Sequence, residues 1–200
     1  MSFTYHCGQR VSFKNQICTI RYIGPIEGTD KQWLGVEWDD PQRGKHYGAH
    51  KGIRYFTCKC FTSSPKPILI SDAGLNPSQT PGSFVAQTQA KDLEQSFVEA
   101  VEKKYATDAT ISDDPVVISG KVVEKVGFEK IRRQQAQLAA LKVVVVDGFR
   151  INKATDSGSS IHAICPNIQT LDLSRNLFET FDQIIEICRN LEHLRILRLK

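Results

Sequence analysis

The feature that most constrains this 200-residue chain is a spaced repetition of apolar triplets toward its C-terminal end. Ile168, Leu171 and Leu173 are preceded by Leu141, Val144 and Val146 at an offset of 27 residues and followed by Leu194, Leu197 and Leu199 at an offset of 26. Within each triplet the last two apolar residues fall on one face of a short strand. Three such strands at nearly constant spacing predict a stack in which each unit covers the next, because no single unit buries its apolar face alone. Between the second and third triplets, Phe181, Ile184, Ile185, Cys188 and Leu191 recur at helical intervals and predict an outer helix. Asn176 closes the central run and is expected to bond the backbone of the turn that follows it.

The run Ile168-x-x-Leu171-x-Leu173-x-x-Asn176 has the form of a leucine-rich repeat, whose period lies at about 20–29 residues. The fold class expected here is an α/β solenoid that is truncated, since the chain stops at Lys200 inside the third strand and a solenoid needs a capping unit. An ordinary αβ unit with leucine-rich strands is the competing reading. Phe128, Ile131, Leu138 and Leu141 sit at helical spacing around the helix-forming stretch from Gln134 to Ala140, so this domain is expected to open with a helix.

The first ninety residues have a different character. Short alternating runs such as Val11-Ser12-Phe13 and Cys18-Thr19-Ile20-Arg21-Tyr22-Ile23, bounded by Gly-Pro and Gly-Thr turns, predict a small all-β barrel or sandwich. Thr62 to Pro81 holds four prolines and reads as a surface insertion. Asp92 and Gln95 have capping-box spacing, with Leu93, Phe97, Val101 and Tyr105 at every fourth position, which predicts a helix over 92–105. Asp108 to Pro115 reads as a linker. The expected organisation is therefore a β-domain over 1–90, a helix and linker over 91–126, and the start of the repeat domain over 127–200, with about two and a half repeats.

Charge divides along the same line. Up to Ala90 there are ten Lys/Arg against six Asp/Glu; from Lys91 onward there are sixteen of each, so the whole net charge of +4 belongs to the β-domain. That excess suits an acidic partner. No cluster of five or more Lys/Arg and no nucleic-acid motif occurs, so an acidic peptide fits better than nucleic acid. The longest uncharged apolar run, Val143 to Val146, is far below the ~20 residues of a membrane span. The first residues lack a secretory signal, so a cytoplasmic location is expected, with Cys7, Cys18, Cys58, Cys60, Cys165 and Cys188 as thiols. Cys58-x-Cys60 is too closely spaced for the usual zinc pair, and neither a metal nor a cofactor is expected.

Chemistry concentrates between Trp33 and Phe56. Trp33-Leu34-Gly35-Val36-Glu37 leads into Gly44-Lys45-His46-Tyr47-Gly48 and then Gly52-Ile53-Arg54-Tyr55-Phe56. Glycines at both ends of the central loop would let a partner's backbone approach, Lys45 offers a point charge for carboxylates, and Trp33 and Phe56 could wall a groove. With Gly82-Ser83-Phe84-Val85 as a fourth block, the order W-x-G-V-E, G-K-N-D-G, G-x-x-Y-F, G-S-F-[VI] resembles the CAP-Gly domain. The resemblance implies a small β-domain that binds acidic-aromatic C-terminal tails such as the Glu-Glu-Tyr end of α-tubulin. Its implied tail-binding residues are Trp33, Gly44, Lys45, His46, Gly48, Phe56 and Phe84. His46 and Tyr47 replace the family's Asn and Asp, and Ala86-Gln87 replaces a frequent Arg-Pro.

A CAP-Gly domain followed by leucine-rich repeats resembles the tubulin-folding cofactors, as do Gly44-Lys45-His46, Val126-Gly127-Phe128 and Cys165-Pro166-Asn167-Ile168. The implied role is a chaperone without catalytic residues that holds the α-tubulin tail and body during αβ-heterodimer assembly. Cofactors C and D are its implied companions, and the cytoskeleton its implied setting. A CAP-Gly microtubule-end adaptor is the alternative, although the sustained heptads of such proteins are missing. An enzyme would have to draw on Cys58 or Cys60 with His46 or His50, and there is no phosphate-binding loop motif. The unfinished third strand leads to the expectation that the 200-residue protein self-associates through its exposed edge; a monodisperse monomer at high concentration in light scattering would overturn it.

Overall fold

Alternating apolar residues build the N-terminal sheet. The computed structural model describes residues 4–58, 80–105, 117–118, 121–122, 138–156 and 160–199, which divide into two units, Met1–Leu93 and Glu94–Lys200. In the first, β1 (Arg10–Phe13), β2 (Gln16–Pro25) and β3 (Gln32–Trp38) run antiparallel. A small hairpin of β4 (Ala49–His50) and β5 (Ile53–Arg54) follows, and β6 (Gly82–Ala86) completes the sheet beside β3. Val11, Phe13, Cys18, Ile20, Leu34, Val36, Trp38 and Val85 form its core. The Phe13 and Trp38 rings meet edge to face at 6.5 Å, a favourable quadrupole arrangement. Most of the expected insertion, residues 59–79, lies outside the described residues.

The β1–β2 turn places two non-glycine residues, Lys14 and Asn15, at positive φ (54° and 60°), the backbone of a tight primed hairpin turn. Asp92 stabilises it. Its carboxylate accepts from the Ser12 hydroxyl and the Asn15 N–H at 2.6 Å each and from the Lys14 N–H at 3.2 Å. This corrects the expected capping box, because Asp92 is engaged with this hairpin and caps no helix. Leu93, expected on the helix's apolar face, is 86% exposed. The chain instead runs through a short strand, β7 (Gln95–Ser96), before α1 (Phe97–Tyr105). The cap is Ser96, whose hydroxyl accepts from the Glu99 N–H at 3.2 Å. Phe97 and Val101 are buried as expected, now with Val98 and Ala100.

The second unit continues with a short antiparallel pair, β8 (Val117–Ile118) and β9 (Lys121–Val122). A 3₁₀ turn at Leu138–Ala140 follows; the rest of the helix expected around 128–141, and the expected linker at 108–115, lie outside the described residues. Then come β10 (Val143–Val145), β11 (Ile151–Lys153), α2 (Ile161–Ile164), β12 (Thr170–Asp172), α3 (Phe181–Arg189) and β13 (Ile196–Arg198). β10, β12 and β13 form a parallel sheet in that order, with Val144, Leu171 and Leu197 aligned as direct partners. The central residues of the three triplets are thus in register. The first two triplets are buried throughout; in the third, Leu197 and Leu199 are 37% and 42% exposed.

Asn176 ties successive turns together. Its amide donates to the carbonyls of Val146 (2.8 Å), Leu173 (2.9 Å) and Ser174 (3.2 Å), while its Oδ1 accepts from the Ile151 N–H at 3.0 Å. The free edge of β10 is covered from α1: the Tyr105 hydroxyl accepts from the Val145 N–H at 2.9 Å, and the Lys104 ammonium donates to the Val145 carbonyl at 2.6 Å. Both outward backbone groups of Val145 are thereby satisfied.

In α3 the buried face is Ile184, Ile187 and, just beyond it, Leu191. Phe181 and Ile185, expected inward, are 70% and 43% exposed. Both patterns fit a helical period, and the two stripes lie about 110° apart, so packing rather than periodicity chose between them. Burial pushes the Cys18 and Cys165 thiols up to about 12, which keeps them protonated and poorly reactive.

Replacing Asn176 by Ala would take the amide from the Ile151 N–H and from the Val146 and Leu173 carbonyls, while the Ser174 carbonyl keeps the Gly148 N–H. Urea denaturation followed by circular dichroism is expected to show a loss of about 3 kcal/mol. Asn190→Ala, which removes one exposed bond to the Glu186 carbonyl, should cost under about 0.5 kcal/mol.

Candidate peptide-binding site

The face of the first sheet opposite its core is set by a missing side chain. Gly35, in the middle of β3, has no room for one: a Cβ there would stand 2.5 Å from Cε1 of Phe56. The Phe56 ring therefore lies flat against the strand. Phe84 is the direct β6 partner of Gly35. Its ring centroid is 5.6 Å from Phe56 and 5.5 Å from Tyr55, both nearly perpendicular, and 4.7 Å from the tilted ring of His46. His50 adds an edge contact at 6.3 Å. Phe84 is the hub of the cluster, while its sequence neighbour Val85 points into the core, as strand alternation requires.

Tyr22 and Tyr55 extend the cluster toward the β2–β3 loop. Their rings meet at 5.3 Å, the Tyr22 hydroxyl donates to the Pro25 carbonyl at 2.7 Å, and the Tyr55 hydroxyl accepts from the Glu27 N–H at 2.9 Å. Trp33 occupies the same sheet face as Gly35, two residues earlier. Its indole N–H donates to Thr29 Oγ1 at 3.0 Å, which anchors the ring to that loop. Glu37 is nearly buried and pairs with Arg21 at 2.7 Å. Burial of this carboxylate is sustained by the guanidinium beside it.

The Gly44–Gly48 loop is fastened to the start of β6 through Gly82. The Lys45 and His46 N–H groups donate to the Gly82 carbonyl at 2.7 and 3.1 Å, and the Gly82 N–H returns a bond to the His46 carbonyl at 2.8 Å. The Thr80 hydroxyl donates to the Gly44 carbonyl at 3.2 Å. A Cβ on Gly44 would lie 1.8 Å from the Thr80 carbonyl oxygen, and one on Gly48 would lie 2.0 Å from that of Phe56, with Gly48 also at a φ of +94°. Both glycines are needed for the protein's own backbone to close on itself, a role their spacing in the sequence does not reveal.

His46 also helps hold the loop. Its Nδ1 accepts from the Gly48 N–H at 3.0 Å, so the neutral ring carries its proton on Nε2, which keeps one donor. Burial, followed by the neighbouring His50 and Lys45, holds its pKa below the ordinary histidine value. Lys45 is exposed beside this ring, and among the described residues its side chain makes no hydrogen bond or ion pair. Exposed Lys51 and Arg54 lie on the same hairpin region.

Of the seven expected residues, His46, Phe56 and Phe84 converge in one ring cluster, Gly44 and Gly48 shape the loop above it, Lys45 projects from that loop, and Trp33 stands along the same sheet face. Gly35, Tyr22, Tyr55 and His50 were missed. Gly35 carried a readable signal, since glycine inside a strand marks close approach by another group. Cys58, considered for an enzyme, is buried; Cys60 lies outside the described residues. Among the described residues no three His, Cys, Asp or Glu side chains are grouped to hold a metal, and no helix is long and apolar enough to cross a membrane.

Residues 7–64 match the CAP-Gly domain family, and the N-terminal part of this largely β chain is such a domain. Over 96% of its length the chain is 33% identical to tubulin-specific chaperone E of Bos taurus and of Homo sapiens, across 196 residues in each case, and 37% identical to that of Xenopus laevis across 191. The chain spans about a third of the length of these relatives, 33% of each. The similarity runs through both units, and the relatives are named as chaperones.

Gly48 and Gly52 both have positive φ, but only at Gly48 does backbone block a side chain. Gly52→Ala should cost about 1–2 kcal/mol for its left-handed backbone alone. Gly48→Ala should cost more than about 3 kcal/mol. Fluorescence-monitored denaturation reads this directly, because both tryptophans, Trp33 and Trp38, belong to the first unit.

Proposed function

We propose that a chain with this CAP-Gly domain, similar along nearly its whole length to tubulin-specific chaperone E, acts in tubulin folding and grips the acidic C-terminal tail of α-tubulin. The observation that carries the reading is the exposed Lys45 ammonium beside the Phe84–Phe56–His46 cluster. Such a tail ends in carboxylates followed by an aromatic side chain. A cation without a partner among the described residues suits the first, and a surface of perpendicular rings suits the second. The net +4 carried by residues 1–90 supports the same choice through long-range attraction. In this reading Trp33, Phe56 and Phe84 line the groove, Lys45 holds the carboxylates, and Gly44, His46 and Gly48 fix the loop.

The second unit takes the role of a leucine-rich-repeat solenoid whose open strand face meets the tubulin body. The in-register triplets and the Asn176 bonding support that assignment. The domains then run 1–90, 91–126 and 127–200, cofactors C and D are the companions in heterodimer assembly, and the protein works in the cytoplasm in association with the cytoskeleton. The chemistry asked of it is binding, with no reaction step of its own, no cofactor, and neither nucleic acid nor membrane as a target.

Titration with a peptide ending in Glu-Glu-Tyr, with and without its last residue, tests the site. Lys45→Ala should weaken binding by about 1–3 kcal/mol, the range for losing a charge-assisted bond, and should flatten its salt dependence. Equal binding by the variant would remove Lys45 as the anchor. Preference for isolated α-tubulin over intact microtubules would favour the chaperone, and the reverse preference a microtubule-end adaptor.

A further inference from the structure

Resting on the tail-binding reading, we propose that His46 is a protonation-sensitive latch, which holds the Lys45 loop in its binding shape when neutral and releases it on acidification. The geometry forms a closed circuit. The His46 backbone bonds to Gly82 on β6, the His46 ring accepts from the Gly48 N–H, and the Gly48 carbonyl accepts from the N–H groups of Tyr55 (2.9 Å) and Phe56 (3.3 Å). One imidazole nitrogen thus joins the loop's two ends. Gly48 is buried, so its N–H has no ready replacement in water. A protonated imidazole carries N–H at both positions and accepts nothing, so protonation sets two donors face to face across this bond.

The surroundings resist that charge until the loop gives way. Among the described residues, the charged or titratable groups that face the ring are Lys45 on its own loop and His50 on β4, both of which repel a new cation. From β6, Phe84 and Gly82 bring no charge, and the segment after β5 brings the rings of Tyr55 and Phe56. Glu37, the β3 partner of Gly82, is paired with Arg21. A histidine whose folded pKa is lowered takes up its proton more readily once the loop opens. The closed loop is therefore fully stable above the ordinary histidine value of about 6.5 and loses stability as pH falls through it.

The sign makes the idea distinctive. Charge alone predicts that acidification tightens the grip on an acidic tail, because a protonated His46 adds positive charge. The latch predicts the reverse, because the loop that presents Lys45 loosens.

Two measurements on the 200-residue chain test it. Heteronuclear NMR from about pH 8 to about pH 5.5, where peptide carboxylates stay ionised, follows the His46 ring and the Gly48 amide. The Gly48 amide should shift with the His46 midpoint, and its hydrogen exchange should quicken below it. In parallel, the dissociation constant of a Glu-Glu-Tyr-ended peptide should rise by up to about tenfold per pH unit below that midpoint. His46→Gln should flatten this dependence, and His50→Gln should retain it. A Gly48 amide indifferent to His46 overturns the latch whatever the peptide does. Tighter binding at low pH overturns the gating even if the amide follows. No peptide binding at any pH, with the amide still following His46, sinks the tail reading and leaves the latch standing.

Discussion

The binding face depends on three backbone hydrogen bonds between Gly82 and the pair Lys45–His46. They join a loop to a strand that lies thirty-six residues away in the chain, and the close approach requires Gly44 there, as Gly48 is required against Phe56. Backbone can meet backbone this closely only where no Cβ intervenes, and at Gly44 and Gly48 a Cβ would overlap a carbonyl oxygen. Everything above the sheet inherits its position from this contact. His46 is laid onto Phe84, and Lys45 is left on the outer side.

The ring cluster solves a second problem on the same face. An open sheet exposes alternate side chains, and aromatic rings left singly on it would be costly in water. Gly35 lets Phe56 sink against the strand until only 7% of it is exposed, and the remaining rings pack edge to face around Phe84. The tyrosine hydroxyls retain polar partners at the rim. The result is a firm apolar floor beside Lys45, which is exposed and so carries little desolvation cost.

The second unit obeys a different constraint, the need of a parallel sheet to satisfy both its buried turns and its edge. Asn176 supplies an amide with donors and an acceptor, and it uses both between neighbouring turns. Tyr105 and Lys104 on α1 do the corresponding work for Val145 at the sheet's first edge, with the Lys104 ammonium also over the Phe149 ring at 5.3 Å. A helix that begins at Phe97 can reach that edge with its last turn.

Local chemistry determined a good deal from sequence alone. Triplet spacing located three strands and their common register, and alternation located β1, β2 and β3, because period and residue type are properties of neighbours in the chain; the Gly44–Gly48 and Phe84 blocks named residues that the fold brings together. Tertiary contact decided the rest. Asp92 looked like a helix cap but serves a hairpin seventy-seven residues back, since a carboxylate bonds whichever amides folding brings to it. Phe181 and Ile185 matched the helical period but lie outside, since two adjacent stripes satisfy that period and only the partner surface selects one. Gly44, Gly48 and the Nδ1 of His46 also hold the loop itself together, because hydrogen-bond partners are chosen by distance in space, which no spacing along the chain records.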